Sequence, residues 1–225
     1  MSLTKLLIAV LVASCFSCVI SAQGSGQSPS APKGGQQSVS AAEFFGEVKG
    51  NVYTNRFFKF SLSVPGSYTI LARNEIEIYS DAGADAIGGK KGTGSTILDV
   101  ARQNTVNLFA AAQKPPGSPD NSAIEIIAVR QPETATAELT LAATVKVMMG
   151  TGKYTVTQNL PNTILGGRSF SAVEFEMSAF GPLVGQRTFV TMQSGYSIMI
   201  TIMSPKQSGF AAFDDVLKSI RFVLN

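Results

Sequence analysis

The sequence predicts an α+β fold: a mostly antiparallel central sheet flanked by helices. Three observations carry this. Phe58, Phe60, Leu62 and Val64 alternate with Lys59, Ser61 and Ser63, the two-residue period of a half-buried strand. Near the C-terminus "GGRSFSAVEFEM", "QRTFVTMQ" and "YSIMITIM" are joined by the short connections "FGPLVG" and "SG", as in an antiparallel meander. Finally, Phe213, Val216, Leu217 and Ile220 are spaced i, i+3, i+4, i+7, the stripe of a packed helix.

The elements follow in order. The Phe58–Val64 strand is stopped by Pro65-Gly66, where proline cannot donate to a ladder and glycine accepts the turn. "ILARNEIEIYSDAGADAI" fits a helix, with Ile76, Tyr79, Gly83 and Ile87 on one face, although Ile76 and Ile78 also alternate like a strand. The helix is the preferred reading. Strands are expected at "TVNLFAAAQ" and "AIEIIAVR", separated by the turn-rich "KPPGSPDN". "TATAELTLAATVKVMMG" reads as a helix with a Leu141, Val145, Met148 stripe and a stop at Gly150. A strand at "YTVTQ" precedes the meander, and "RFVLN" after the last helix suits a short closing strand.

Composition bounds the function. The 225 residues are 44% hydrophobic and 15% charged, enough for a packed core. Eighteen basic against fifteen acidic residues give +3, too weak and scattered for a nucleic-acid partner. Histidine is absent, which removes the usual neutral-pH proton shuttle and the His-based triads.

The N-terminus reads as a targeting segment, residues 1–22. "MSLTK" supplies a positive start and "LLIAVLVASCFSCVI" an apolar run short for a membrane span. Two cuts compete. Ordinary secretion would cleave after Ala22, whereas "VASC" is similar to the lipobox of bacterial lipoproteins and would leave a lipid on Cys15. Either cut predicts export to the periplasm or cell envelope, or secretion. Either also leaves the folded part without cysteine, so it gains no disulfide and no thiolate chemistry. Residues 23–41 open with "QGSGQSPSAPKGGQQSVS", a Gly/Ser/Pro/Gln linker without a large apolar side chain. Residues 42–225 are then of single-domain size.

"YTNRFFKFSLSVPGSY", Tyr53 to Tyr68, resembles the Y-x-N-x-x-F-x-F-x-x-x-x-P-x-x-W opening of the PsbP/Mog1-like superfamily, with Tyr68 where many members carry tryptophan. The later "LGGRSFSAVEFEM", "TFVTMQSGYSIMITIM" and "LKSIRF" keep the order of elements found there. The resemblance spans most of Val52 to Phe222 and extends to the superfamily's exported bacterial members of unknown role. It implies an α/β/α sandwich and a protein that acts by docking to a protein partner. Metal sites of the plant members use histidine, so that property does not carry over.

"AIGGKKGTGST", residues 86–96, has the composition of a phosphate-binding loop but not its spacing. Aligning Gly89-Lys90 with G-x-x-x-x-G-K-[ST] puts Ala84 at the first glycine and Lys91 at the Ser/Thr. For G-x-G-x-x-G, Gly92 and Gly94 are followed by Ile97. No nucleotide partner and no other cofactor is expected.

Other candidates read mostly as structure. Asp81 and Asp85 match a calcium loop only in part, because the twelfth position is Gly92 instead of glutamate. Glu174 and Glu176 share a strand face. They fit a glycosidase pair less well than a solvated face opposite Val173, Phe175 and Met177. Ser194 and Ser197 lack a histidine base, and Met192, Met199 and Met203 read as core. Arg168, after Gly166-Gly167, either braces a turn or faces a ligand, with bracing preferred. No catalytic or metal-binding residue emerges. The leading expectation is a non-catalytic exported binding or assembly module; the alternatives are a structural envelope protein and a carboxylate-based enzyme.

Overall fold

The computed structural model describes residues 40–78, 104–115, 118, 121–178, 183–205 and 207–223. The expected leader with Cys15, residues 23–39 of the expected linker, Asp81, Asp85, the expected loop at 86–96 with Lys90 and Lys91, and the 79–87 part of the expected helix lie outside the described residues.

Two antiparallel sheets form the frame. The smaller contains β1 (Glu47–Lys49), β2 (Val52–Asn55), β3 (Phe60–Ser63) and β11 (Arg221–Phe222), in the order β1-β2-β3-β11. The larger contains β4 (Thr69–Ile70), β5 (Thr105–Ala112), β6 (Ala123–Arg130), β7 (Tyr154–Leu165), β8 (Arg168–Met177), β9 (Val184–Gln193) and β10 (Tyr196–Ser204). Its order is β4-β5-β6-β10-β9-β8-β7, so β10 returns to pair with both β6 and β9. The helices are α1 (Ala41–Phe45), α2 (73–78), α3 (Ala137–Gly150) and α4 (Asp214–Ser219), the last entered through a 3-10 turn at Gln207–Phe213.

Strand alternation divides the large sheet's side chains between two cores. Ile198, Ile200 and Ile202 on β10 and Phe170 and Ala172 on β8 face one side. There they meet Phe58, Phe60 and Leu62 together with Phe213, Val216, Leu217 and Ile220, the expected union of strand and helix. Phe175, which the sequence reading places in this same core beside Ile198 and Ile200, does not share it. Being odd-numbered on β8, it lies on the opposite face with Val173 and Met177, beneath Leu141, Val145 and Met148 of α3. The expected α+β architecture is present, with one refinement: the layer opposite α3 is the small sheet together with α4.

Local chemistry explains the boundaries. The apolar alternation from Phe58 does not run in one strand, because Arg56 to Lys59 form a turn in which Lys59 has φ 54°. Phe58 is nevertheless fully buried. The β7–β8 and β9–β10 hairpins turn on Gly166-Gly167 (φ 57° and 82°) and Ser194-Gly195 (φ 53° and 78°), the left-handed pairs that match strand twist. The α3 helix starts at Thr136, whose hydroxyl accepts the Leu139 N–H at 3.2 Å. Its expected stop at Gly150 is displaced: Gly150 is helical, and the left-handed glycine is Gly152 at φ 68°.

β7 also runs beyond "YTVTQ", through Pro161 to Leu165. As an edge strand paired only with β8 it tolerates a residue without an N–H. Its register slips between Val156 and Gln158 and again between Leu160 and Thr163, so β7 is bulged around Thr157 and around Pro161.

Candidate functional site

The motif that carries the sequence resemblance is a structural node. Asn55, 1% exposed, accepts the Phe58 N–H on Oδ1 at 2.8 Å and donates from Nδ2 to the Phe44 carbonyl at 2.9 Å and to Tyr53 Oη at 3.0 Å. Tyr53 Oη donates to the Phe45 carbonyl at 2.8 Å. The pair thereby closes the β2–β3 turn and fastens α1 to the sheet. Burial pushes the Tyr53 phenol well above its ordinary pKa, with the Asn55 bond opposing in part. Tyr68, in the position of the family's tryptophan, packs edge-on to Phe213, donates to the Ala212 carbonyl and accepts from Gln113.

The more open chemistry lies across the molecule, in a groove of about 530 Å³ between β7 and α4. Leu160, Pro161 and Ile164 form one wall, and Asp214, Leu217 and Lys218 the other, over a floor containing Arg187 and Phe189. The bulge around Pro161 falls within the stretch of β7 that makes this wall. Gly166 lets the hairpin approach the chain after α4: a Cβ there would lie 2.8 Å from the Ile220 carbonyl oxygen.

Arg187 is fixed from two directions. Glu174 faces it across the β8–β9 ladder and accepts from Nε at 2.7 Å and also from Nη2. The guanidinium carbon stands 4.7 Å from the centre of the Phe210 ring. Arg187 remains 25% exposed by side chain, whereas Glu174 is 8% exposed. Among the described residues Asp214 and Lys218 have no ion-pair partner. A smaller concavity of about 260 Å³ beside α1 differs in that its charges are committed. There Glu43 closes the Ser40 capping box, and Glu47 pairs with Lys49 and Arg56.

The sequence candidates are dispersed. Glu174 is buried in its ion pair, which corrects the expected solvated face: the cross-strand Arg187 and the overlying Phe210 cover it. Arg168 donates from Nη1 to the Met192 carbonyl at 2.8 Å and to Gln193 Oε1, and stacks 4.8 Å from the Phe222 ring. Ser194 occupies a turn; Ser197 accepts from Gln131 and is buried against the Val129 carbonyl. Met199 and Met203 are core, and Met192 is half-buried. No group of residues able to hold a metal occurs among the described residues. Nor is any helix there long and apolar enough to cross a membrane.

The sequence matches no protein-family model and no curated protein. Solved structures similar to the α+β sandwich include the cyanobacterial PsbP of Synechocystis, at 11% identity and TM-score 0.46, covering 85% of this chain and 99% of that one. LpqN, involved in cell envelope biogenesis of Mycobacterium tuberculosis, is similar at 12% identity and TM-score 0.44, covering 73% and 83%. The immunity protein TplEi of Pseudomonas aeruginosa, solved with a peptide, is similar at 10% identity and TM-score 0.41, covering 74% and 96%.

Proposed function

We propose that this chain is a non-catalytic, exported binding or assembly module of the bacterial cell envelope, docking to a partner protein through the β7–α4 groove. The observation that carries the reading is the groove's construction: aliphatic walls around an arginine held by a buried carboxylate, with unpaired Asp214 and Lys218 on the rim. Such a surface offers a desolvated centre and oriented polar groups, the composition of a protein contact. Glu174, the better candidate for a catalytic carboxylate, is committed to Arg187, which favours binding over hydrolysis.

Photocrosslinking tests the docking. A benzophenone side chain at Ile164, 64% exposed on the groove wall, should give a discrete adduct in the native envelope. The same group at Leu139, 62% exposed on α3, should not. Equal adducts from both positions, or none from Ile164, would remove the groove from the account. Anchoring is decided separately. A fatty-acid label abolished by Cys15→Ser establishes the lipid tether, whereas a mature terminus at Gln23 without lipid establishes plain secretion.

A further inference from the structure

Resting on the docking reading, we infer that the groove recognises a carboxylate beside an aliphatic side chain on the partner's peptide segment. Glu174 takes Nε and Nη2 of Arg187, leaving Nη1 with no hydrogen-bond partner among the described residues. The Phe210 ring packs 4.7 Å from the guanidinium carbon, and with the two bonds to Glu174 this orients the remaining donors before anything binds. Lys218 lines the same groove without an ion pair. The end of α4 adds Arg221, whose Nη1 donates to the Lys218 and Ile220 carbonyls.

The negative groups are placed differently. Glu174 is 8% exposed and already bound to the arginine, and Asp214 stands one helical turn before Lys218. The unoccupied donors, Arg187 Nη1 and Lys218 Nζ, call for an oxygen anion. The walls of Leu160, Ile164 and Leu217 and the Phe189 floor call for an aliphatic group next to it. A phosphate would need more donors than this half-apolar groove presents; a carboxylate accepts from one arginine edge and one lysine.

The probe is acetyl-Ala-Leu-Asp-Ala-amide, titrated into the whole domain and followed by amide chemical shifts. It should move resonances of 160–166 and 214–218, with half-saturation on the order of 1 mM. The Asn-containing isostere should bind at least about fivefold more weakly, roughly one charge-assisted contact. Lys218→Gln should narrow that ratio. Arg187→Gln alone would strand Glu174, so the paired change Arg187→Gln with Glu174→Gln serves as the second variant: it should remain folded and bind both peptides alike. If the two peptides bind equally to the unaltered protein, or neither binds, while the Ile164 adduct persists, the carboxylate inference fails and docking stands. Loss of the adduct as well would overturn the docking reading itself.

Discussion

Asn55→Ala is the sharpest test of how this fold is held together. The side chain is 1% exposed and its bonds reach a turn, a helix end and a neighbouring phenol. Alanine leaves the Phe58 N–H and the Phe44 carbonyl without their side-chain partner, whereas Tyr53 keeps its bond to Phe45. A stranded buried polar group costs about 1–3 kcal/mol, so two predict a loss of roughly 2–6 kcal/mol. Whole domains have only about 5–15 kcal/mol. The assay is urea unfolding followed by far-UV circular dichroism, since the chain has no tryptophan. With a slope on the order of 2 kcal/mol per molar, the midpoint should fall by about 1–3 M. Asn55→Asp restores only the acceptor and buries a charge, so it should rescue nothing at pH 7. A loss below about 0.5 kcal/mol for the alanine variant would show that the motif does not fasten α1 and the turn.

Further outcomes follow from the same geometry. Phe60→Ala and Leu217→Ala should each cost about 2–5 kcal/mol in urea melts, against little change for exposed Lys146→Ala. Gly166→Ala should lower the melting temperature more than Gly195→Ala: both have positive φ, but only at Gly166 would the Cβ meet backbone, 2.8 Å from the Ile220 oxygen. Bonds from the Ser40 backbone N–H and hydroxyl hold Glu43 below the usual carboxylate range. Its contribution is therefore present above an unfolded pKa of about 4.3 and is lost as pH falls through the lower folded value. Protection of the α1 amides, taken relative to their intrinsic exchange at each pH, should fall on acidification, and Glu43→Gln should flatten that dependence. For Tyr53 the sign is opposite: burial raises its phenol, so stability is full below about pH 10 and declines as pH rises through the folded value. Its phenolate absorbance should appear only above the ordinary tyrosine range of about pH 10.

Much of the sheet was legible because period and turn chemistry agreed. In the meander the strands alternate, and Gly166-Gly167 and Ser194-Gly195 supply the left-handed turns that fix two of its hairpins. The errors have equally local causes. Phe58 is apolar and buried without being in a strand, so periodicity extended β3 across a turn made by Asn55 and Lys59. Phe175 belongs to the core beneath α3 because alternation assigns a residue to a face without saying which layer covers it. The strand read at "YTVTQ" runs on through Pro161 to Leu165, because a proline inside a strand is tolerated at an edge, and β7's edge position depends on the order of the whole sheet.

The groove was less accessible because its parts lie at 160–166, 187–189 and 214–218, brought together by sheet order and by α4. Its local trace is a single acidic residue, Glu174, between Val173 and Phe175, and Arg187 on the next strand; only the β8–β9 register makes them partners. That pairing bears on function through its energetics. Removing two charges from water is costly, and buried ion pairs replaced by well-packed apolar groups often lose no stability. Stability alone therefore accounts poorly for a carboxylate 8% exposed beneath an arginine 25% exposed. The arrangement has a further consequence for binding: two bonds to Glu174 fix the guanidinium's direction, and the Phe210 ring packs 4.7 Å from its carbon. A ligand then meets donors whose side-chain entropy was surrendered during folding. A buried pair on the floor of an open groove is better explained by the donor edge it orients than by the energy it adds to the fold.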